Sequence, residues 1–338
     1  MTFRVGLRRL FYADMGRKSW DSDLPRPLST DVWYPALDTD VERDIFIGPP
    51  DMPLFYAGRV GRDAGLTSAP DRFPLILLSH GTGGLSLQLG WLAQALASRG
   101  YIAAAVNHHG NNGLEPYLAQ GFLHYWERPR DLTVVLDQLL ANPVFGPRID
   151  PNCVGAAGFS LGGYTVIALA GGIASVGLLI DEFRKLGPDI ETAIPPEFSD
   201  HSAFMKEFDS LSDQTSAANT SYRDPRIKAV FALAPVLGPA FSPAGLSSIN
   251  IPVKIVVGAA DRSAPAGANA SHFARHIKTA ELTILEKIGH YTFLAEATEA
   301  GKRELPMLCL DEEGVDRALI HQMVAGWAVE FFDKNMKV

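Results

Sequence analysis

The chain has 338 residues, 47% hydrophobic and 20% charged, enough apolar material to bury a large core and too much for a disordered polymer. Its 30 Lys and Arg against 38 Asp and Glu leave a formal charge of -8. No global positive field exists to draw a phosphate backbone or an anionic membrane surface, so nucleic acid is not expected as a partner. The two cysteines, Cys153 and Cys309, match neither a metal spacing nor a disulfide framework and read as reduced core thiols.

Met1 to Leu10 scatters arginines through an apolar pattern and lacks the continuous apolar run of a secretory leader, which makes a cytoplasmic location the expectation. Residues 3–12 and 27–34 flank a polar, Pro-containing stretch and predict two antiparallel edge strands. Between Pro35 and Pro74 the chain is rich in Gly, Pro and Asp and reads as irregular. Pro74 to Ser79 is a short apolar run that ends at His80-Gly81-Thr82-Gly83-Gly84, and Leu89, Leu92 and Leu96 follow at helical spacing. Tyr101 to Val106 predicts a buried strand, Asn107 to Tyr125 a polar loop, and Arg130 to Leu140 a helix with Pro129 near its start, where a missing N–H costs little.

No charged side chain occurs from Asn152 to Ile180, a length that could span a bilayer. Glycines at 155, 158, 162, 163, 171, 172 and 177 instead divide it into a strand (Cys153 to Ala157), a tight turn and a helix (Leu161 to Ala170), so stable membrane insertion is not expected. Residues 171–226 break the alternation. Two amphipathic helices, Val176 to Leu186 and Ser202 to Leu211, are joined through Pro188, Pro195 and Pro196 and read as an insertion. Alternation resumes with Ile227 to Leu233, Val253 to Val257, a helix near Ala268 to His276, a strand at Ala280 to Leu285 and a last helix from about Val315 to Phe332. The predicted class is therefore α/β: a mostly parallel central sheet with helices on both faces, built from residues 1–170 and 227–338, with 171–226 inserted as a helical lid. Such sheets bind ligands beyond the carboxyl ends of their strands.

The strongest chemical signal is Gly158-Phe159-Ser160-Leu161-Gly162, placed directly after a strand and before a helix. That context lifts a serine hydroxyl onto a strained turn and sets the Leu161 N–H at a helix N-terminus, where developing negative charge is stabilised. The glycine loop after His80 can turn a second N–H, that of Thr82, toward the same point, forming an oxyanion hole with Leu161. His80 reads as a loop-orienting residue rather than a base. Chain order places the acid and then the base after the serine. Among the later histidines, His290 in Gly289-His290-Tyr291 lies in a loop just past a strand. His272 is its nearest rival, and His201, His276 and His321 fall in helices with capping or solvent-facing roles expected. Asp261 ends the preceding strand's loop, 29 residues before His290, which leaves room for one αβ unit. Ser160, Asp261 and His290 are the expected catalytic triad. His108-His109-Gly110-Asn111-Asn112 lacks a completing metal ligand and reads as a pocket-lining loop. Trp91 and the stretch Trp126-Glu127-Arg128-Pro129 carry no assignment, and neither a cofactor nor a metal is expected.

Residues 79–109 and 158–163 resemble the dienelactone hydrolase and platelet-activating-factor acetylhydrolase group of α/β-hydrolases, through Ser-His-Gly-Thr-Gly-Gly, Leu-Ala-Ser-Arg-Gly-Tyr-Ile-Ala-Ala-Ala-Val-Asn-His, Gly-Phe-Ser-Leu-Gly-Gly and Gly-His-Tyr-Thr-Phe. The resemblance implies an α/β-hydrolase fold in which Ser160 is nucleophile, His290 is base, and Thr82 and Leu161 give the oxyanion N–H groups. Two positions depart from the group. Phe231-Ala232-Leu233-Ala234-Pro235 offers no acid where the acetylhydrolase branch carries one, which returns the role to Asp261. Dienelactone hydrolases proper use a cysteine nucleophile where this chain has Ser160.

The expected activity is hydrolysis of a small-molecule carboxylic ester through an acyl-enzyme. An amidase or peptidase with the same triad and a non-catalytic receptor on the same fold are the rivals. Leu178, Leu179, Ile180, Phe183, Phe198, Phe204 and Phe208 in the insertion suit an apolar roof over the substrate, packing on the core, or a homodimer interface.

Overall fold

The computed structural model describes residues 2–37, 41–185, 198 and 200–336. Its strands are β1 (Arg4–Lys18), β2 (Pro25–Ala36), β3 (Arg43–Ile47), β4 (Phe55–Arg62), β5 (Phe73–Ser79), β6 (Ile102–Val106), β7 (Ile149–Phe159), β8 (Ile227–Leu233), β9 (Val253–Gly258), β10 (Ala280–Leu285) and β11 (Glu296–Ala297). They form one sheet in the order β10-β9-β8-β7-β5-β6-β2-β1-β4-β11, with β3 on β4. The run from β6 through β5, β7, β8 and β9 to β10 is parallel. The apolar stretches of β5 and β6 are buried to 0% exposure at Leu75, Ile76, Leu77 and Leu78 and throughout Ile102–Val106, as strands covered by helices on both faces must be. This is the mostly parallel α/β sheet that the alternation predicted, in the α/β-hydrolase architecture that the resemblance implied; β5 to β10 fall within about four residues of the expected bounds, while β1 runs on to Lys18.

Two expectations are corrected. The β1–β2 hairpin is not at the edge: β2 pairs with β6 through Thr30–Trp33, and β1 pairs with β4. The prolines that signalled an edge, Pro25, Pro27 and Pro35, all fall outside the stretch of β2 that is paired on both sides, where a missing N–H leaves no neighbour unbonded. The stretch read as irregular contains β3 and β4. A register shift between Ile45 and Phe46, and Gly58 at φ 108, interrupt the alternation that would have marked them.

In the insertion, helices run over Val176–Arg184 and His201–Asp209, capped by the side chains of Ser175 and Asp200; Pro188, Pro195 and Pro196 lie outside the described residues. Leu179, Ile180, Phe198, Phe204 and Phe208 are buried in the same core cluster as the sheet, whereas Leu178 is partly exposed. The Phe198 ring meets Phe122 at 5.4 Å and Phe183 meets Phe208 at 5.2 Å. Glu207 accepts hydrogen bonds from Gln120 at 2.8 Å and His124 at 2.7 Å, so a polar latch supplements the apolar contact. Among the described residues no helix is long and apolar enough to cross a membrane. The charge-free stretch that ends at Ile180 is divided among β7, the Leu161–Leu169 helix and the helix at Val176.

His321, expected to face solvent or cap its helix, is instead buried. Its ring stacks on Trp91 at 4.2 Å and its Nε2 bonds to the Thr292 carbonyl at 2.8 Å. Burial pushes it down to about 4, and burial together with the Arg128 charge pushes His108 down to about 3. Both stay neutral in the fold while the unfolded chain protonates them near 6.5. The unfolded state therefore takes up more protons as pH falls from 6.5 to the folded values, and stability drops in that window. The melting temperature should be level from pH 8 to 7 and decline steadily from about pH 6.5 to 4; a level profile down to pH 4 would contradict the burial of these two imidazoles.

Candidate active site

Because β5 and β7 are adjacent and parallel with Ser79 opposite Gly158, the segments leaving their carboxyl ends start side by side. The chain from β5 goes on to β6 on one side, and β7 lies on the other, so a crevice opens between their loops. Ser160 sits in it at φ 55, a left-handed conformation that a side chain bears only where its surroundings impose it. Its N–H donates to Leu233 O at 2.9 Å and its carbonyl accepts from Tyr164 N at 3.1 Å. The surrounding glycines are there for space. A methyl on Gly162 would lie 1.8 Å from Ser79 O, one on Gly158 2.1 Å from Gly162 O, and one on Gly163 2.8 Å from Pro235 Cα.

The three side chains read as a triad are brought together here. His290 Nε2 lies 2.9 Å from Ser160 Oγ and Nδ1 lies 2.7 Å from Asp261 Oδ2. A carboxylate only accepts, so Nδ1 carries the proton and Nε2 is left to accept from the serine hydroxyl. The other Asp261 oxygen accepts the Ala264 N–H at 2.6 Å, which fixes the carboxylate plane. Asp261 follows β9 and His290 follows β10, neighbours in the sheet. The Asp261 side chain is fully buried and that of His290 only 6% exposed. The rival His272 is committed elsewhere, to the Phe241 carbonyl at 2.8 Å. A cleft of about 280 Å³ borders His290, with Arg262, Tyr291, Met307 and Leu310 among its walls.

The glycine loop reaches the same point. A methyl on Gly81 would stand 3.2 Å from Ser160 Cβ. His80 Nε2 accepts the His108 N–H at 3.1 Å, so Nδ1 is the protonated nitrogen and donates to Gly81 O at 2.7 Å. The carbonyl and N–H of a trans peptide point in opposite directions. Holding Gly81 O against the His80 ring therefore turns the Thr82 N–H the other way. Neither the Thr82 nor the Leu161 N–H is engaged by another described group.

Several residues that sequence reasoning left unassigned converge beneath this loop. His108 donates to Asp131 at 2.9 Å and accepts from Ser79 Oγ at 2.9 Å, whereas its neighbour His109 turns to Glu115 and Ser19. Burial opposes charge on Asp131, but Arg26 and Arg17 together hold its carboxyl well below the usual carboxylate range. Asn111 accepts the Gly83 N–H at 2.7 Å and Tyr117 donates to Gly83 O at 2.8 Å. The loop predicted to line a pocket is thus in large part a buried scaffold, with His108, Asn111 and Asn112 at most 2% exposed. Wide-open polar sequence conceals this, since Asn and His in a Gly-containing stretch look alike whether solvated or buried.

Residues 75–300 match the model of a family described as the alpha/beta hydrolase family. That stretch is well over half of the chain, and the chain belongs to this family. Among solved structures it is similar to a ferulic acid esterase from Streptomyces cinnamoneus at 20% identity and a TM-score of 0.65, covering 100% of this chain and 91% of that one, a likeness that speaks to the fold. No curated protein sequence matches the chain significantly.

Gly162→Ala should force the nucleophile turn away from Ser79 O and destabilise by ~1–3 kcal/mol, the usual cost of overpacking. Gly267→Ala, whose added methyl would have no atom within 4 Å, is the control. Equal thermal melts for the two variants would show that the turn does not depend on this close approach.

Proposed function

We propose that the protein is a serine esterase related to the dienelactone hydrolase and acetylhydrolase-like group. The observation that carries this reading is the continuous hydrogen-bonded series Asp261, His290, Ser160, at 2.7 and 2.9 Å, on a chain of the alpha/beta hydrolase family. The esterase among the structures of like fold agrees with it.

In the first half-reaction His290 Nε2 takes the Ser160 proton as Oγ adds to the ester carbonyl carbon. Asp261 keeps the imidazole in the Nδ1–H tautomer and stabilises the imidazolium that results. The Thr82 and Leu161 N–H groups receive the oxyanion; their value lies in being oriented before charge develops, and losing one such donor typically costs ~10²- to 10³-fold in rate. His290 then gives its proton to the departing alcohol and the acyl group remains on Ser160. Water, deprotonated by the same imidazole, attacks the acyl-enzyme in the second half-reaction and releases the acid. The substrate is a small ester with an apolar portion. Met307 and Leu310, 79% and 58% exposed beside the cleft at His290, offer an apolar wall for it, and the described part of residues 171–226 packs on the core as a cap.

Ser160→Ala should keep the parent fold and lose at least ~10⁴-fold in turnover of a chromogenic ester. A fluorophosphonate should label the parent at Ser160 and leave the variant unmarked. Parent-level turnover in the variant would defeat the assignment. Across a series of p-nitrophenyl esters, kcat/KM should rise with the first few acyl carbons, by up to about tenfold per two methylenes if each is buried; a flat series would remove the apolar subsite from the reading.

A further inference from the structure

Arg128 is a fully buried arginine that hydrogen-bonds to no carboxylate among the described residues. It is 1% exposed, and every acceptor of its guanidinium is neutral: the His80 carbonyl, with Ser79 Oγ at 3.3 Å, Thr165 Oγ1 at 3.1 Å and Asn111 Oδ1 at 3.5 Å. Asp131, one helical turn further on, is taken up by Arg17, Arg26 and His108 instead. Burying a cation with no carboxylate hydrogen-bonded to it costs several kcal/mol, so its persistence asks for a use. Burial pushes it down to about 9, still charged at neutral pH.

The acceptors fall into two groups. One belongs to the glycine loop: the His80 carbonyl begins it, and Asn111 Oδ1 also holds the Gly83 N–H at 2.7 Å. The other belongs to the helix after Ser160: Thr165 Oγ1 accepts from Arg128 and donates to Leu161 O at 2.8 Å. One planar fork therefore binds the backbone before Thr82 directly at His80 O, the backbone after it through Asn111 Oδ1, and, through one hydroxyl, the residue whose N–H is the other donor. A lysine, with a single ammonium in place of several rigidly spaced N–H groups, could not reach both.

We propose that Arg128 is a positioning residue of this active site, clamping the loop of Thr82 to the first helical turn at Leu161 so that their two amides converge on one oxyanion. This rests on the esterase reading above. Interactions that count only when charge develops raise kcat rather than tighten substrate binding. Losing the clamp should therefore appear in kcat with KM little changed, and a misplacement of about 1 Å can cost ~10²-fold.

The test uses the full chain and p-nitrophenyl acetate. Arg128→Lys should lower kcat about 10- to 100-fold with KM within about twofold. Thr165→Val, close in shape, removes the hydroxyl that accepts from Arg128 Nε and donates to Leu161 O while leaving the bonds of Arg128 to the glycine loop, and should lower kcat about 3- to 10-fold; Thr165→Ser, which keeps the hydroxyl, should recover most of that loss. A boronic acid, whose adduct on Ser160 carries the oxyanion, should weaken in step with kcat. A merely structural role would lower the melting temperature and leave kcat per folded, fluorophosphonate-labelled molecule unchanged. If Arg128→Lys does not fold, Thr165→Val and Thr165→Ser decide alone. A labelled and active parent whose folded variants keep its kcat and boronate affinity overturns the clamp. A parent that neither labels nor turns over ester overturns the esterase reading first, and the clamp with it.

Discussion

Everything at the site depends on the parallel pairing of β5 with β7, in which Ser79 faces Gly158. That register sets the glycine loop and the nucleophile turn closer together than a methyl group permits: Gly162 lies under Ser79 O, and Gly81 lies against Ser160 Cβ. A slip of one residue would turn every side chain of a strand to the opposite face, so that Leu75, Ile76, Leu77 and Leu78, all now at 0%, would have to repack against the other helical layer. The apolar runs that build the core thus also hold the two loops in contact. Stability and site geometry rest on the same interaction.

Much of this was readable from the chain because glycine and local order carry it. Ser160 at φ 55 was foreshadowed by the glycines at 158, 162 and 163, and Asp261 and His290 by their places just beyond strands. What escaped the sequence has a physical reason in each case. The prolines of β2 looked like edge markers because a sequence does not say which side of a strand is left unpaired. Arg128 carried no assignment and Asp131 drew no notice, because charge on a helix is normally solvated and signals no site. Helical arithmetic held a clue: Arg128 falls on the stripe of Leu132, Val135, Leu136 and Leu139, all buried, so the apolar face continues backwards into a cation. A charged residue occupying a core position of an otherwise regular stripe is the sequence signal for a buried ionic or polar site.

The buried charges divide into two kinds, and the difference is informative. Around Asp131 the partners are complementary: Arg17 at 2.7 Å, Arg26 at 2.8 and 3.0 Å, and His108 at 2.9 Å. Arg17 also bonds Asp14 and Glu127. Such a network contributes little net stability over a well-packed apolar core, but it tolerates few arrangements. It ties the β1–β2 hairpin, which carries Arg17 and Arg26, to the Glu127–Ala141 helix that carries Asp131. Arg128, on the same helix, is thereby held in place from one side by ionic bonds that it does not share, and is left free to spend its own donors on backbone and neutral oxygens on the other.

Residues 107–131 are the element common to these contacts. Asn111 and Tyr117 bond the glycine loop through Gly83, while Phe122 and His124 face Phe198 and Glu207 of the insertion. His124 in turn stacks on Trp126 at 4.7 Å and meets Trp20 of the hairpin at 5.9 Å. A segment in contact with the loop, the insertion and the hairpin has few conformations open to it, because moving it would break bonds on every side at once. The described residues of the insertion therefore bear on the loop through this segment, and the loop's geometry is sensitive to contacts made beyond the triad itself. That is the physical reason a short polar stretch, unremarkable in composition, carries as much of the site's geometry as the strands do.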